Sequence, residues 1–148
     1  MLLRMLPDQV SEQWDIFREA IKAALPPVVD DHEDLMNRLL MAALLGKLDV
    51  WVSYHVNKEG VKVSDGVVST EILRDDLDGI NLLVVYSLYS FGNLSRTGFS
   101  EILDALIKYG KSRNCSGMIA FSQLDVFDKT VLAKGGDVSF KLLKIPFV

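Results

Sequence analysis

The sequence predicts a single α/β domain, more narrowly an α+β arrangement built on a mixed sheet. Three observations predict it. Apolar residues recur every three or four positions up to residue 45, then alternate strictly from residue 48 to 56, a change from helical to strand period. Residues 82–89 are almost continuously apolar, as in a strand buried on both faces. That run is followed by a short loop rich in Gly and Ser, a helix with one greasy face, and a second apolar run at 118–121. The connection is long enough for a right-handed parallel crossover.

Each element has a local reason. Residues 2–6 form a short apolar segment stopped by Pro7, which suits an edge strand. Asp8 can cap a helix whose apolar face carries Val10, Trp14, Phe17, Ile21, Ala24 and Leu25, and Pro26-Pro27 ends it. Asp30, Asp31, Glu33 and Asp34 then stand where acids oppose the positive end of a helix, ahead of a stripe of Leu35, Met36, Leu39, Leu40 and Ala43 closed by Gly46. Leu48, Val50, Val52, Tyr54 and Val56 mark the inward face of a strand. Lys58-Glu59-Gly60 makes a turn, residues 61–64 extend a hairpin, and Asp65-Gly66 reads as a tight turn before a strand at 67–73. A charged loop at 74–79 leads to the central strand. The next helix, residues 98–111, buries Phe99, Ile102, Leu103, Leu106 and Ile107. A helix at 123–134 puts Leu124, Phe127, Val131 and Leu132 inward, and residues 138–148 close the chain as a strand with Val138, Phe140 and Leu142 in alternation. The expected order is β-α-α-β-β-β-α-β-α-β.

The bulk numbers narrow the class of protein. A chain of 148 residues with 49% hydrophobic and 24% charged residues is one globular domain, residues 1–148. The mean hydropathy of +0.22 points to a buried sheet or to an apolar surface covered by another subunit. A net charge of −4 argues against general binding to a nucleic-acid backbone, which needs clustered Lys and Arg. Cys115 is the only cysteine, so no intrachain disulfide forms and a reducing compartment is expected. The first residues are too short an apolar region for a signal peptide, and no run reaches the ~18 apolar residues of a membrane span. The expectation is a cytoplasmic protein with no membrane partner.

Two helices between the first and second strands, then the strand, loop, helix and strand of residues 81–122, resemble the GCN5-related N-acetyltransferase family over nearly the whole chain. The resemblance implies that acetyl-CoA lies beside the central strand, with its pyrophosphate on the amides of the following loop. That family's loop reads Gln or Arg, two residues, Gly, one residue, then Gly or Ala. Here the stretch is Ser95-Arg96-Thr97-Gly98-Phe99-Ser100. Gly98 matches the first glycine, Ser95 replaces Gln or Arg with Arg96 adjacent, and Ser100 replaces Gly or Ala. Helix N-termini hold anions through free amides and the helix dipole, and Gly lets a phosphate approach. Glu101 in the first turn opposes an anion, and capping by Ser95 or Thr97 explains the same residues. The resemblance further implies cofactor contacts from Leu88 and Ser90. The tyrosine with which many members protonate the departing thiolate is replaced here by Val131 and Leu132, and no Tyr occurs after residue 123.

Other candidates follow from residue type. Tyr86, Ser87, Tyr89 and Ser90 at the end of the central strand are positioned for a polar pocket, with Tyr89 as a catalytic candidate; core packing with satisfied hydroxyls is the plainer alternative. Ser122 and Gln123 should face the same gap. Glu71, the only acid of its strand, can serve as general base for an amine or face solvent. His55 can be a base but sits on the polar side of its strand. His32 lies among acids without the spacing of a compact metal-ligand set, and Cys115 reads as a buried thiol.

Two functions of different class follow. One is an acyl-CoA-dependent N-acyltransferase acting on a small-molecule or protein amine, with activity weakened by the altered loop. The other is an inert structural or interaction protein. The central stretch also resembles acetyltransferase-like proteins encoded by tailed bacteriophages, which implies self-association or virion partners and a place in the host cytoplasm or the particle.

Overall fold

The computed structural model describes residues 1–92, 94–121 and 124–147. The order is β1 (Leu2–Arg4), α1 (Pro7–Glu12), α2 (Trp14–Ala23), α3 (Leu35–Leu44), β2 (Asp49–Val56), β3 (Lys62–Arg74), β4 (Asn81–Ser90), α4 (Arg96–Ser112), β5 (Gly117–Ala120) and α5 (Asp125–Ala133). The five strands form one mixed sheet in the order β1-β2-β3-β4-β5. Pairing is antiparallel through β4, and β4 and β5 are parallel, joined by the α4 crossover. The fold class is therefore the mixed α+β sheet predicted.

Helices cover both faces. Val10, Phe17, Ile21, Met36 and Leu39 of α1–α3 close over Val50 and Val67 on one face. Ile102 and Leu106 of α4 close over Trp51, Val68, Leu83 and Val85 on the other. Phe99 and Leu103 then carry α5 through Phe127. Each large apolar side chain so buried contributes about 1.5–3 kcal/mol. The polar groups inside are paired: the Trp51 indole N–H donates to Thr70 Oγ1 at 2.9 Å, and the Ser69 and Ser87 hydroxyls bond to each other.

Several elements depart from the expectation. The first long helix is two, because Gln13 (φ −111°, ψ 22°) interrupts it. Pro7, not Asp8, opens α1, and the Gln9 side chain accepts the Leu6 amide at 2.8 Å. The acidic run precedes α3 instead of filling its first turn; only Asp34 reaches the N-cap position. Asp65-Gly66 is not a turn. The chain reverses at residues 57–61, where the Asn57 side chain accepts the amides of Glu59 and Val61, and β3 runs straight through. Asp65 is the extra residue of a bulge against β2, buried and bonded to His55 Nδ1 at 2.6 Å. The bulge buries a carboxylate that a surface turn would have left in water. In α5, Leu132 is exposed, and Thr130 lies inward beside Phe127. Residues 138–147 form no strand. Alternation specifies a strand only where a partner edge is at hand, and this segment runs to the α2–α3 loop, where Lys144 Nζ donates to Asp30 Oδ1 at 2.8 Å and the Val28 carbonyl at 3.1 Å.

Candidate functional site

The feature that separates this sheet from a closed one is a fork between β4 and β5. The two strands pair only from Leu82 with Gly117 to Val85 with Ala120. β5 stops at Ala120, but β4 continues to Ser90. The cause lies on β4's other edge. Thr70 faces Val85 and Ser69 faces Ser87, so Tyr86 is an extra residue opposite none. A bulge bends its strand and raises the local twist, and β4 leaves the line of β5 where this one occurs. Past Val85, no strand among the described residues neighbours that edge of β4.

A cavity of about 280 Å³ occupies the fork. Its walls are Val85, Leu88, Tyr89 and Ser90 of β4, Phe121, Leu124 and Phe127 after β5, and residues 23–25 with Pro27 at the end of α2. Among the described lining residues only Tyr89 and Ser90 carry polar side chains. Ser90 Oγ accepts the Gly92 amide at 3.1 Å, and Tyr89 stacks edge-on against Phe91 at 5.4 Å. Tyr89 is pinned from behind as well: a Cβ on Gly66 would stand 2.6 Å from the Tyr89 carbonyl oxygen, so only glycine allows β3 and β4 to approach this closely. Sequence reasoning gave Leu88, Tyr89 and Ser90 of this lining; of its other β4 candidates, Tyr86 is not among the lining residues and Ser87 is buried and bonded to Ser69. It missed the wall from α2, where Ala23, Ala24, Leu25 and Pro27 line the cavity just past the helix end. Ser122 and Gln123 lie outside the described residues.

The start of α4 is half capped. Ser95 is the N-cap, and its Oγ accepts the Gly98 amide at 3.0 Å. The Phe99 amide reaches the Ser95 carbonyl at 3.0 Å. The amides of Arg96 and Thr97 have no hydrogen-bond partner among the described residues, and both side chains are exposed. Gly98 matters for packing too, since a Cβ there would meet Leu94 Cδ1 at 2.7 Å. Phe99 is a core residue, edge-on to Phe127 at 6.1 Å, so its side chain is not available to a cofactor. Ser100 is half-buried on the same turn. Glu101 points to the N-terminal ammonium at 3.5 Å, both groups exposed, a pair of little energetic weight.

Glu71 stands apart from the cleft. It pairs with Val84, four residues along β3 from the Val67 that faces Tyr89, about 13 Å at strand rise. The structure therefore does not bring the two catalytic candidates together. Glu71 instead acts on Tyr86: burial first, then the Glu71 carboxylate, raises the Tyr86 phenol above its ordinary value of 10.0. His55 is held by Asp65, and no group of three or more His, Cys, Asp or Glu suited to a metal occurs among the described residues. No helix among them is long and apolar enough to cross a membrane.

Solved structures of acetyltransferases superimpose on 99–100% of the chain. A probable acetyltransferase matches with a TM-score of 0.69 at 11% identity, covering 100% of this chain and 98% of its own. AAC(6')-Iy, solved with the bisubstrate analogue CoA-S-monomethyl-acetylneamine, matches at 0.68 and 14% identity, with 100% and 97% covered. A predicted acetyltransferase of Clostridium acetobutylicum, solved with acetyl-CoA, matches at 0.62 and 15%, with 99% and 95% covered. No family model and no curated protein matches the sequence. The fold is that of the GCN5-related N-acetyltransferases; at these identities the likeness speaks for the fold alone.

Proposed function

We propose that the chain binds an acyl-CoA in the β4–β5 fork and transfers its acyl group to a primary amine. The observation that carries the reading is the edge of β4 at residues 86–90, which no strand among the described residues neighbours, beside the cavity. Such an edge offers main-chain donors and acceptors to an extended pantetheine-like chain, and an amide there can polarise a thioester carbonyl. The exposed Arg96 and the free amides of Arg96 and Thr97 suit the pyrophosphate at the head of α4. Ser95, Gly98 and Ser100 shape that turn, and Phe99 anchors it; Leu88 and Ser90 line the thioester end. An attacking amine nitrogen would form a bond to the carbonyl carbon and lose a proton to solvent, collapse of the tetrahedral adduct would break the C–S bond, and the thiolate would take a proton from a donor that solvent then reprotonates. Tyr89 carries the only ionisable side chain among the described residues lining the cavity, and we assign it that donation. Glu71 is too far along the sheet to act on the same amine, and its influence is confined to Tyr86. The acceptor class stays at small-molecule or protein amines: AAC(6')-Iy was solved with an acetylneamine-based analogue, and another structural neighbour is named as a ribosomal-protein-alanine N-acetyltransferase.

Calorimetric titration with acetyl-CoA tests the reading. Saturable binding is expected, with thermal stabilisation of about 2.7 kcal/mol at a hundredfold excess over the dissociation constant. Tyr89→Phe should keep binding and lower turnover on an amine panel. No binding at millimolar acetyl-CoA would reject the proposal and leave the inert structural or assembly protein, whether of a phage particle or not, as the remaining reading.

A further inference from the structure

On the reading that the fork binds acyl-CoA, and resting on it, we infer that the preferred donor carries an uncharged straight acyl chain of about four to six carbons, seated against the end of α2. The cavity runs through the sheet where β4 and β5 part. Val85, Leu88 and Phe127 line it on the face covered by α4, and Tyr89 and Leu25 line it on the face covered by α1–α3. The head of α4, where the pyrophosphate is placed, belongs to the first face. A donor held there threads the fork toward the second face. The atoms beyond its carbonyl then meet Ala23, Ala24, Leu25 and Pro27.

Size and polarity select the chain. An apolar cavity of about 150 Å³ holds a benzene ring, and this one measures about 280 Å³. Acetyl fills a small part of that volume, and about four more methylenes fit alongside the end of the pantetheine arm. Ala23 and Ala24 set the α2 wall back, since neither carries an atom beyond Cβ. Leu88 and Phe121 are only half-buried and Leu124 is exposed, so apolar surface remains for a hydrocarbon tail to cover. Tyr89 has the one ionisable side chain among the described lining residues, and none of them carries a cation. A carboxylate at the far end of an acyl chain would lie there unpaired, which is costly. The cavity therefore favours a plain hydrocarbon tail over a dicarboxylic one of the same length. Ala23 and Pro27 are exposed, which leaves the α2 side open for the amine to enter.

Calorimetric titration of the full chain with acetyl-, butyryl-, hexanoyl- and succinyl-CoA tests this donor class. Each methylene fully removed from water is worth about fourfold in affinity. Butyryl-CoA should therefore bind about tenfold more tightly than acetyl-CoA, and hexanoyl-CoA more tightly again. Succinyl-CoA, with the carbon count of butyryl-CoA, should gain nothing over acetyl-CoA. Ala24→Leu fills the α2 side and should lower the ratio of hexanoyl- to acetyl-CoA affinity by about tenfold. Equal affinity along the series, or succinyl-CoA matching butyryl-CoA, would overturn the donor class and leave acyl-CoA binding standing. An unchanged ratio in Ala24→Leu would overturn the seat against α2. Failure of all four thioesters to bind would overturn the donor class and the acyltransferase reading together.

Discussion

Gly66→Ala tests whether close approach of β3 to the end of β4 shapes the cleft. A Cβ at this position would lie 2.6 Å from the Tyr89 carbonyl oxygen and 3.6 Å from its carbon. Ordinary contact begins near 3.4 Å, so the strands must separate locally by several tenths of an ångström, and both partners are backbone. No rotamer relieves the clash. Overpacking of this kind costs about 1–3 kcal/mol. With about 2.1 cal/mol/K of unfolding entropy per residue, a chain of 148 residues loses about 3–10 °C of melting temperature. The displaced atom belongs to the cleft wall, so acetyl-CoA affinity should fall in the same variant. The matched control is Gly117→Ala, whose nearest neighbour is the flexible Leu82 Cδ2 at 3.4 Å; it should stay within about 0.5 kcal/mol of the parent. Calorimetric melting of both variants decides the matter. A Gly66→Ala protein that melts with its control would show that β3 and β4 are not held at this spacing.

Three further outcomes follow from the same geometry. Ser95→Ala removes the cap on the Gly98 amide and should cost about 0.5–2 kcal/mol by urea denaturation, with Ser95→Asp restoring most of it. His55→Ala strips the buried Asp65 carboxylate of its side-chain partner and should cost about 1–3 kcal/mol, whereas Val56→Ala next to it, an exposed position, should be nearly silent. At alkaline pH the phenols of Tyr86 and Tyr109 act together. Burial leads in both; Glu71 adds at Tyr86, and the Asp49 carboxylate that accepts the Tyr109 hydroxyl at 2.6 Å adds at Tyr109. Both are raised in the folded state, so their stabilising contribution is complete below pH ~10 and is lost as pH climbs from there through the folded values. Stability measured from pH 9 to 12 should fall in the parent and fall less steeply in the Tyr86→Phe, Tyr109→Phe double variant; parallel curves would contradict the assignment.

The fold was legible where period and burial coincide. Leu82 through Tyr89 read as the doubly buried central strand because residues facing both helix layers, Val85 and Leu106 on one side and Val67 and Phe17 on the other, demand apolar partners. The misreadings have one physical source, since sequence pattern sees side chains and not the edge on which a backbone finds its partner. Asp65-Gly66 carries turn residues, but the glycine was needed for contact with Tyr89 and the aspartate for His55. Residues 138–148 alternate as a strand should, but alternation cannot say whether a partner edge is at hand.

The same reasoning explains why the site was less legible than the fold. A cleft walled by Val85 and residues 88–90 of β4, and apart from it two amides at the head of α4 that find no partner among the described residues, leave little trace in side chains. Their determinants are an unmatched residue, Tyr86, a glycine that permits contact, Gly66, and a cap, Ser95. None of these is a reacting group, and each can be met by other residues elsewhere in the chain provided the strand still bends. The fold as a whole is shared with solved acetyltransferases at 11–15% identity. It follows that substitutions of Arg96 or Thr97 side chains should matter less to acyl-CoA binding than changes that close the β4 bulge: deleting Tyr86 would restore an unbroken register with β3, straighten β4 toward β5, and abolish binding even in a protein that remains folded.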